Sequence, residues 1–208
     1  MWVLDAYRKY LIKRKSEDIE LKVKELEQYL KDSSKLVVVH DELIDFFDLI
    51  NNRKTRWQAF RRYIEINYKL GQFEKILDVG CGPFRDLSIE LENKGYIVDS
   101  IDPRIEIEDE NHIVKGYFNY QKTDVSKYDL LVGLEPCDAT EHIMKSGLNN
   151  NIPFAVALCA APHNSISGRK FKTMEEWYEY LLKESQGEAI IEEKRILQKR
   201  FDILRNKR

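Results

Sequence analysis

The chain has 208 residues, 43% hydrophobic and 34% charged, with a formal net charge of -2. Its longest apolar run, Phe154–Ala161, is far shorter than the roughly 20 residues that cross a bilayer, and the charged N-terminus lacks the apolar core of a signal peptide. Cys81, Cys137 and Cys159 form no CxxC pair, which argues against a disulfide framework or a structural zinc site. We therefore predict a cytoplasmic protein with no membrane segment and no metal site.

Helical periodicity dominates the first seventy residues. The segments Ile19–Leu30, Leu43–Ile50 and Trp57–Ile64 each carry apolar residues three or four positions apart. This spacing predicts three helices, and we expect residues 1–70 to form a helical N-terminal cap over the domain that follows. A coiled coil is the alternative, but the apolar period is shorter than the three or four heptads that would indicate one.

Strand and helix patterns alternate through the rest of the chain. The strand patterns are Lys75–Val79, Tyr96–Ile101, Ile113–Phe118, Tyr128–Leu134 and Pro153–Leu158, and the helix patterns are Arg85–Lys94, Ala139–Asn149 and Lys172–Glu184. Parallel strands need crossover connections, so this alternation predicts an α/β fold with a mostly parallel sheet over residues 71–208. In the usual order for such a sheet, the first, fourth and fifth strands are neighbours.

The C-terminal segment leaves two alternatives open. Residues 188–208 fit two short strands, Ala189–Ile196 and Phe201–Leu204, or one frayed helix.

The turn after the first strand pattern carries the clearest ligand signal. Asp78-Val-Gly-Cys-Gly-Pro83 joins a strand to a helix, where a glycine turn lets a ligand approach backbone N–H groups. Arg85 stands where a dinucleotide fingerprint would need its third glycine, so NAD and FAD are disfavoured. Asp102 follows the second strand, where a ribose-binding acid is expected, and Asp99 within that strand is the alternative. A nucleoside-bearing ligand without a diphosphate fits best; the alternative is a plain strand-to-helix connection.

Three motifs resemble those of class I S-adenosylmethionine-dependent methyltransferases: Ile76–Pro83 (ILDVGCGP), Ile101–Pro103 (IDP) and Tyr128–Pro136 (YDLLVGLEP). The resemblance covers about residues 71 to 165. It implies a Rossmann-like fold with a helical N-terminal extension and S-adenosylmethionine as cofactor. It places the glycine turn at the methionine moiety, the acid on the ribose and the end of the fourth strand at the reacting methyl. The cofactor-binding residues so implied are Asp78, Gly80, Cys81, Gly82, Asp102, Leu134, Glu135 and Pro136.

A finer resemblance concerns the fourth and fifth strands. Gly133–Thr140 (GLEPCDAT) and Pro153–His163 are similar to a subgroup whose fourth strand reads GLHPCGAT and whose fifth ends in Cys-Cys-His, and some of whose members act on RNA. Glu135 replaces the usual His, Asp138 the usual Gly and Ala160 the second Cys. We predict a methyltransferase with an unidentified acceptor, RNA included. The alternative is a non-catalytic protein that binds S-adenosylmethionine or S-adenosylhomocysteine, or serves in assembly.

His163 and Glu135 are the candidate catalytic residues. His163 follows a buried strand and could deprotonate or orient an acceptor, the alternative being a structural histidine. We expect Cys81 and Cys137 to lie near the cofactor at one sheet edge, with Cys159 and His163 close by. Buried free cysteines usually act as small hydrophobes, however, and no ligand spacing supports zinc.

A basic stretch in the predicted cap offers contacts for nucleic acid. It interleaves Trp57 and Phe60 with the cations Arg53, Lys54, Arg56, Arg61 and Arg62, a combination that grips phosphates and stacks bases. The alternative is an apolar core stripe with a solvated basic back face. The near-neutral net charge does not favour a dedicated nucleic-acid binder.

Overall fold

The computed structural model describes residues 2–31, 41–68, 75–106, 112–197 and 199–207. Contacts divide the chain into two compact units, Met1–Lys54 and Thr55–Arg208. The predicted boundary between residues 70 and 71 lies outside the described residues. No helix in the described ranges is both long and apolar enough to span a membrane.

The described part of the N-terminal region forms three helices: α1 (Trp2–Lys13), α2 (Ile19–Lys31) and α3 (Asp41–Asn67). Helix α1 was not predicted from the sequence, and α3 was predicted as two helices. No glycine or proline separates the two predicted segments of α3, so nothing ends the helix between them. In the first unit, Tyr7 of α1 and Leu26 of α2 are buried in one apolar cluster with Phe46.

The second unit is built on a seven-stranded sheet with the order β3-β2-β1-β4-β5-β7-β6. Its strands are β1 (Lys75–Val79), β2 (Ile97–Ile101), β3 (Ile113–Val114), β4 (Leu130–Leu134), β5 (Phe154–Ala157), β6 (Ala189–Ile196) and β7 (Lys199–Asn206). Strands β1 to β5 pair in parallel, and β7 is antiparallel to both of its neighbours. The predicted α/β fold with a mostly parallel sheet is confirmed, as is the adjacency of the first, fourth and fifth strands.

Helices cover both faces of this sheet. The remaining helices are α4 (Asp86–Glu92), α5 (Thr140–Asn150) and α6 (Met174–Glu184), with a short 3-10 turn at Cys137–Ala139. Successive strand residues point to opposite faces, so Leu77 of β1 packs in the same cluster as Trp177 of α6, whereas Ile76 joins the cluster of Phe60 of α3. Because both of their faces are buried, the central strands β4 and β5 are apolar throughout rather than alternating.

The C-terminal segment forms two strands, which settles the alternative left open by its sequence. Register pairs Ala189 with Asn206 and Ile196 with Lys199, giving a tight hairpin. Ile203 and Leu204 of β7 are buried on opposite faces of the sheet.

Candidate functional site

A cavity of about 300 Å³ opens at the carboxyl ends of β1, β2 and β4. The strand order reverses direction between β1 and β4, and such switch points are where open α/β sheets bind ligands. The lining residues come from the strand ends and the segments that follow them: Val79, Gly80, Ile101, Asp102, Pro103, Arg104, Gly116, Tyr117, Phe118, Asn119, Pro136, Cys137, Asp138, Ala139 and His142.

The glycine turn after β1 packs directly against the end of β4. Gly80 and Gly82 have φ of 70° and 75°, a left-handed conformation that favours glycine. A Cβ on Gly80 would lie 2.7 Å from Cβ of Pro136, whereas the nearest atom to a Cβ on Gly82 would be the Arg104 guanidinium, 3.9 Å away. The backbone at Gly80 is therefore covered by Pro136, and Gly82 faces a looser space.

Asp102, the predicted ribose acceptor, directly follows β2 and is only 2% exposed. Its carboxylate accepts hydrogen bonds from the backbone N–H groups of Gly82 at 2.9 Å and Arg104 at 2.8 Å, and from Nε and Nη2 of Arg104 at 3.0 Å each. Burial opposes ionisation, but these hydrogen bonds lower the pKa of Asp102 below its ordinary value. Asp102 is an ionised acceptor on the cavity wall, and the sequence analysis did not identify Arg104 as its partner.

The two other aspartates considered from the sequence do not line the cavity within the described residues. Asp78 is fully buried beneath α4, where Ser88 donates a hydrogen bond of 2.7 Å to its Oδ2 and burial raises its pKa to about 7. Asp99 is buried too, but hydrogen bonds from His112, Tyr128 and Lys127 outweigh that burial and lower its pKa to about 2. Asp78 anchors a helix, and Asp99 joins β2 to the segments around it.

The segment after β4 has an unusual backbone. Glu135 and Cys137 both have φ of 54°, a left-handed conformation that non-glycine residues seldom adopt. Glu135 forms an ion pair with Arg56 of α3, and the Arg56 guanidinium lies 4.8 Å from the ring centre of Phe201. Of the predicted β4 site residues, Pro136 lines the cavity, whereas Leu134 and Glu135 are not among its described lining.

The histidine on the cavity wall is His142 of α5, which the sequence analysis did not single out. Its ring lies 5.6 Å from that of Tyr120, whose backbone N–H donates a hydrogen bond of 3.4 Å to Nδ1. Burial lowers the pKa of His142, so its imidazole is neutral at neutral pH. The sequence signal that could have found it is its place in the first turn of the helix after β4.

The predicted catalytic His163 lies outside the described cavity lining, next to two of the cysteines. Its Nδ1 is 3.3 Å from a carboxylate oxygen of Asp138, and its ring meets Trp177 edge-on at 5.8 Å. The Cys159 thiol donates a hydrogen bond of 3.7 Å to Sγ of Cys137, and this bond, together with the nearby His163 and Arg104, lowers the pKa of Cys137 below its ordinary value. Burial instead raises the pKa of the Cys81 thiol.

Ion pairs occupy the described part of the predicted nucleic-acid patch. Arg61 and Arg62 both form ion pairs with Glu65 of the same helix. Arg56 forms an ion pair with Glu135, which follows β4. Phe60 is fully buried and unable to stack on a base. The side chains of Arg53 and Lys54 lie outside the described residues. Binding of nucleic acid stays a prediction.

No protein-family model matches the chain, and no curated protein matches it. Among solved structures, it is similar to the 1,6-didemethyltoxoflavin N1-methyltransferase of Burkholderia thailandensis, solved with S-adenosylhomocysteine, at 17% identity and a TM-score of 0.41 over 78% of this chain and 85% of that one. Human N-acetylserotonin methyltransferase, solved with S-adenosylmethionine, shares 15% identity over 86% of this chain and 62% of that one, with a TM-score of 0.42. A protein of Pyrococcus horikoshii shares 11% sequence identity over 86% of this chain and 98% of that one, with a TM-score of 0.48. Likeness at this level supports no conclusion about activity or substrate.

Proposed function

We propose that this chain is an S-adenosylmethionine-dependent methyltransferase whose cofactor occupies the cavity between the ends of β1, β2 and β4. One observation carries the proposal: the ionised, buried carboxylate of Asp102 stands on the wall of a cavity at the topological switch point. A carboxylate in this position suits a pair of ribose hydroxyls, which are neutral donors. The sequence motifs at the same strand ends support this assignment.

The cavity fits the adenosine half of such a cofactor best. Its volume of about 300 Å³ is at the lower end of the range for small-molecule sites. Ile101 and Phe118 give it apolar walls for a base, and Asp102 supplies the polar group that fixes orientation. The bound cofactor would supply a methyl group already activated on a sulfonium, which leaves the protein to align the acceptor and exclude water.

Two contacts stand in the way of this cofactor, and the proposal includes their release. The Arg104 guanidinium donates hydrogen bonds to both carboxylate oxygens of Asp102, which ribose hydroxyls would need. Pro136 covers the backbone at Gly80. The Arg104 side chain is 65% exposed, so its departure into water costs little packing. The left-handed residues on either side of Pro136 mark a strained segment, and strain of this kind is often found where a site changes shape.

Proton transfer from an acceptor falls to His142 in this proposal. The neutral imidazole on the cavity wall carries its own hydrogen on Nε2, because Nδ1 accepts the Tyr120 N–H. It takes a proton from an acceptor at Nδ1 once this hydrogen bond is released. Glu135 and His163 each face another charged side chain, Arg56 and Asp138 respectively. Their catalytic roles stay predictions.

Calorimetry tests cofactor binding. We expect the wild type to bind S-adenosylmethionine and S-adenosylhomocysteine, and Asp102→Ala to bind both about 10- to 100-fold more weakly, because hydrogen bonds to a charged group are lost. Asp124→Ala is the matched control, since Asp124 is an exposed loop acid that caps Ser126 and lies outside the cavity lining. A wild type that binds neither compound contradicts the proposal.

Transfer of a labelled methyl group to pools of RNA, protein and small molecules then tests catalysis. Product in one pool, lost in His142→Gln with cofactor binding intact, supports the proposed enzyme. Binding without transfer to any pool would identify a binding protein that retains the fold.

A further inference from the structure

Three potential metal ligands meet beside the candidate cofactor site. Cys137 lies in the turn after β4, Cys159 follows β5, and His163 belongs to the next loop. The two sulfur atoms are 3.7 Å apart, and the ligand atoms of all three residues lie within 4.8 Å of one another. Adjacent parallel strands end at the same edge of the sheet, so residues far apart in sequence converge here.

The spacing of the sulfur atoms suits a tetrahedral metal ion. Two thiolates bound to zinc at about 2.3 Å with a tetrahedral angle lie about 3.8 Å apart. The observed 3.7 Å is close to this value, so Cys137 and Cys159 need little movement to share an ion. A thiolate and imidazole donor set is soft and favours zinc over magnesium or calcium.

The His163 ring has neighbours of the kind found around metal-bound histidines. The Asp138 carboxylate lies 3.3 Å from Nδ1, and the buried Trp177 packs against the ring at 5.8 Å. Metal-binding histidines commonly have a carboxylate on one ring nitrogen, which fixes the ring and its tautomer.

We propose that Cys137, Cys159 and His163 bind one Zn²⁺ ion, with the fourth position left to water or to an acceptor atom. Three protein ligands and an open position are typical of zinc sites that take part in chemistry. Cys137 also lines the cavity, so an ion held there stands at the wall of the candidate cofactor site. The proposal departs from the metal-free expectation of the sequence analysis and stands whether or not the chain binds S-adenosylmethionine.

Zinc binding by the full chain tests the proposal. The protein is reduced with a phosphine, stripped with a chelator and titrated with Zn²⁺ against a chromogenic chelator. We expect one Zn²⁺ per chain, and affinities about 100-fold or more weaker in Cys159→Ser and His163→Gln, because loss of a ligand exceeds the 10- to 100-fold effect of losing an outer-shell partner. Cys81→Ser and His142→Gln are the matched controls, since neither residue belongs to the cluster, and both should bind Zn²⁺ like the wild type.

Cobalt provides a second measurement that needs no variant. Co²⁺ added to the stripped wild type should give the intense visible bands of tetrahedral coordination and a sulfur-to-cobalt charge-transfer band. Absence of both, or equal Zn²⁺ affinity in Cys159→Ser and Cys81→Ser, overturns the proposal. So does a Cys137–Cys159 disulfide found by mass spectrometry in protein that has been reduced. Near-UV circular dichroism of each stripped variant shows that any loss of binding is not a loss of fold.

Discussion

Replacing Asp78 by asparagine should remove a loss of folding stability that the wild type shows as pH rises. Asp78 is fully buried, and burial raises its pKa from 3.8 to about 7 although Ser88 and Arg85 favour the ionised form. Because its folded-state pKa lies above the unfolded-state value, the native chain binds more protons between these values. Stability therefore falls as pH rises from about 4 through about 7.

The size of this effect follows from the two pKa values. Each pKa unit corresponds to about 1.4 kcal/mol, so ionised Asp78 costs roughly 4 kcal/mol at high pH, of which about 3 kcal/mol develops between about pH 5 and about pH 8. Asparagine keeps the acceptor for the Ser88 hydroxyl and carries no charge. We expect Asp78→Asn to gain about 3 kcal/mol relative to the wild type between these two pH values, whatever the cost of its amide hydrogens.

Urea unfolding of the wild type and of Asp78→Asn at both pH values measures this difference. The other titrating groups are the same in both proteins, so their contributions to the pH dependence cancel. Asp99→Asn serves as the contrasting variant. Since the pKa of Asp99 is lowered to about 2, its ionised form contributes stability that is lost only as pH falls toward that value. Asp99→Asn should therefore lose stability by a similar amount at both pH values. If the difference in unfolding free energy between the wild type and Asp78→Asn is the same at both pH values, the pKa of buried Asp78 is not raised.

Three further predictions concern the cavity, the helix beside it and the loop of the cysteines. Arg104→Ala should bind S-adenosylhomocysteine about fivefold more tightly by calorimetry, because the mostly exposed Arg104 guanidinium, whose pairing we take as worth about 1 kcal/mol, no longer competes for the buried Asp102; equal or weaker binding contradicts the proposed displacement. Gly147→Ala should lower the free energy of unfolding in urea by at least about 1 kcal/mol despite better helix propensity, since its Cβ would lie 2.6 Å from Cδ1 of Phe154. Trp177→Ala should cost about 3–5 kcal/mol in the same assay and weaken Zn²⁺ binding by loosening the His163 ring; unchanged stability would show that Trp177 is not a core residue.

Sequence reasoning predicted the elements whose pattern is local. The strand at Lys75–Val79 and the helix at Met174–Glu184 carry their periodicity within one window, and the glycine turn follows its strand directly. The reasoning failed where neighbours in space decide the outcome. The short β3 ends at Val114, four residues before the predicted end, because only Ile113 and Val114 pair with β2.

The site was less predictable than the fold. Asp102 was found because its position after β2 is a local feature, but its clamp by Arg104 depends on a turn whose conformation the sequence pattern does not specify. His142 reaches the cavity only because α5 starts at the edge of β4. The approach of Cys137 to Cys159 was predictable, because β4 pairs with β5 as the usual strand order requires, but the 3.7 Å between their sulfur atoms depends on the turn after β4.

The position of β7 between β5 and β6 has a consequence for synthesis. Phe154–Ala157 of β5 is completely buried in the finished sheet, and one of its edges pairs with β7, the last of the described strands to leave the ribosome. Until then an apolar strand edge stays available to other nascent chains, and unpaired edges of this kind promote aggregation. Yield of the intact chain should therefore depend on how well chaperones shield β5 while translation proceeds.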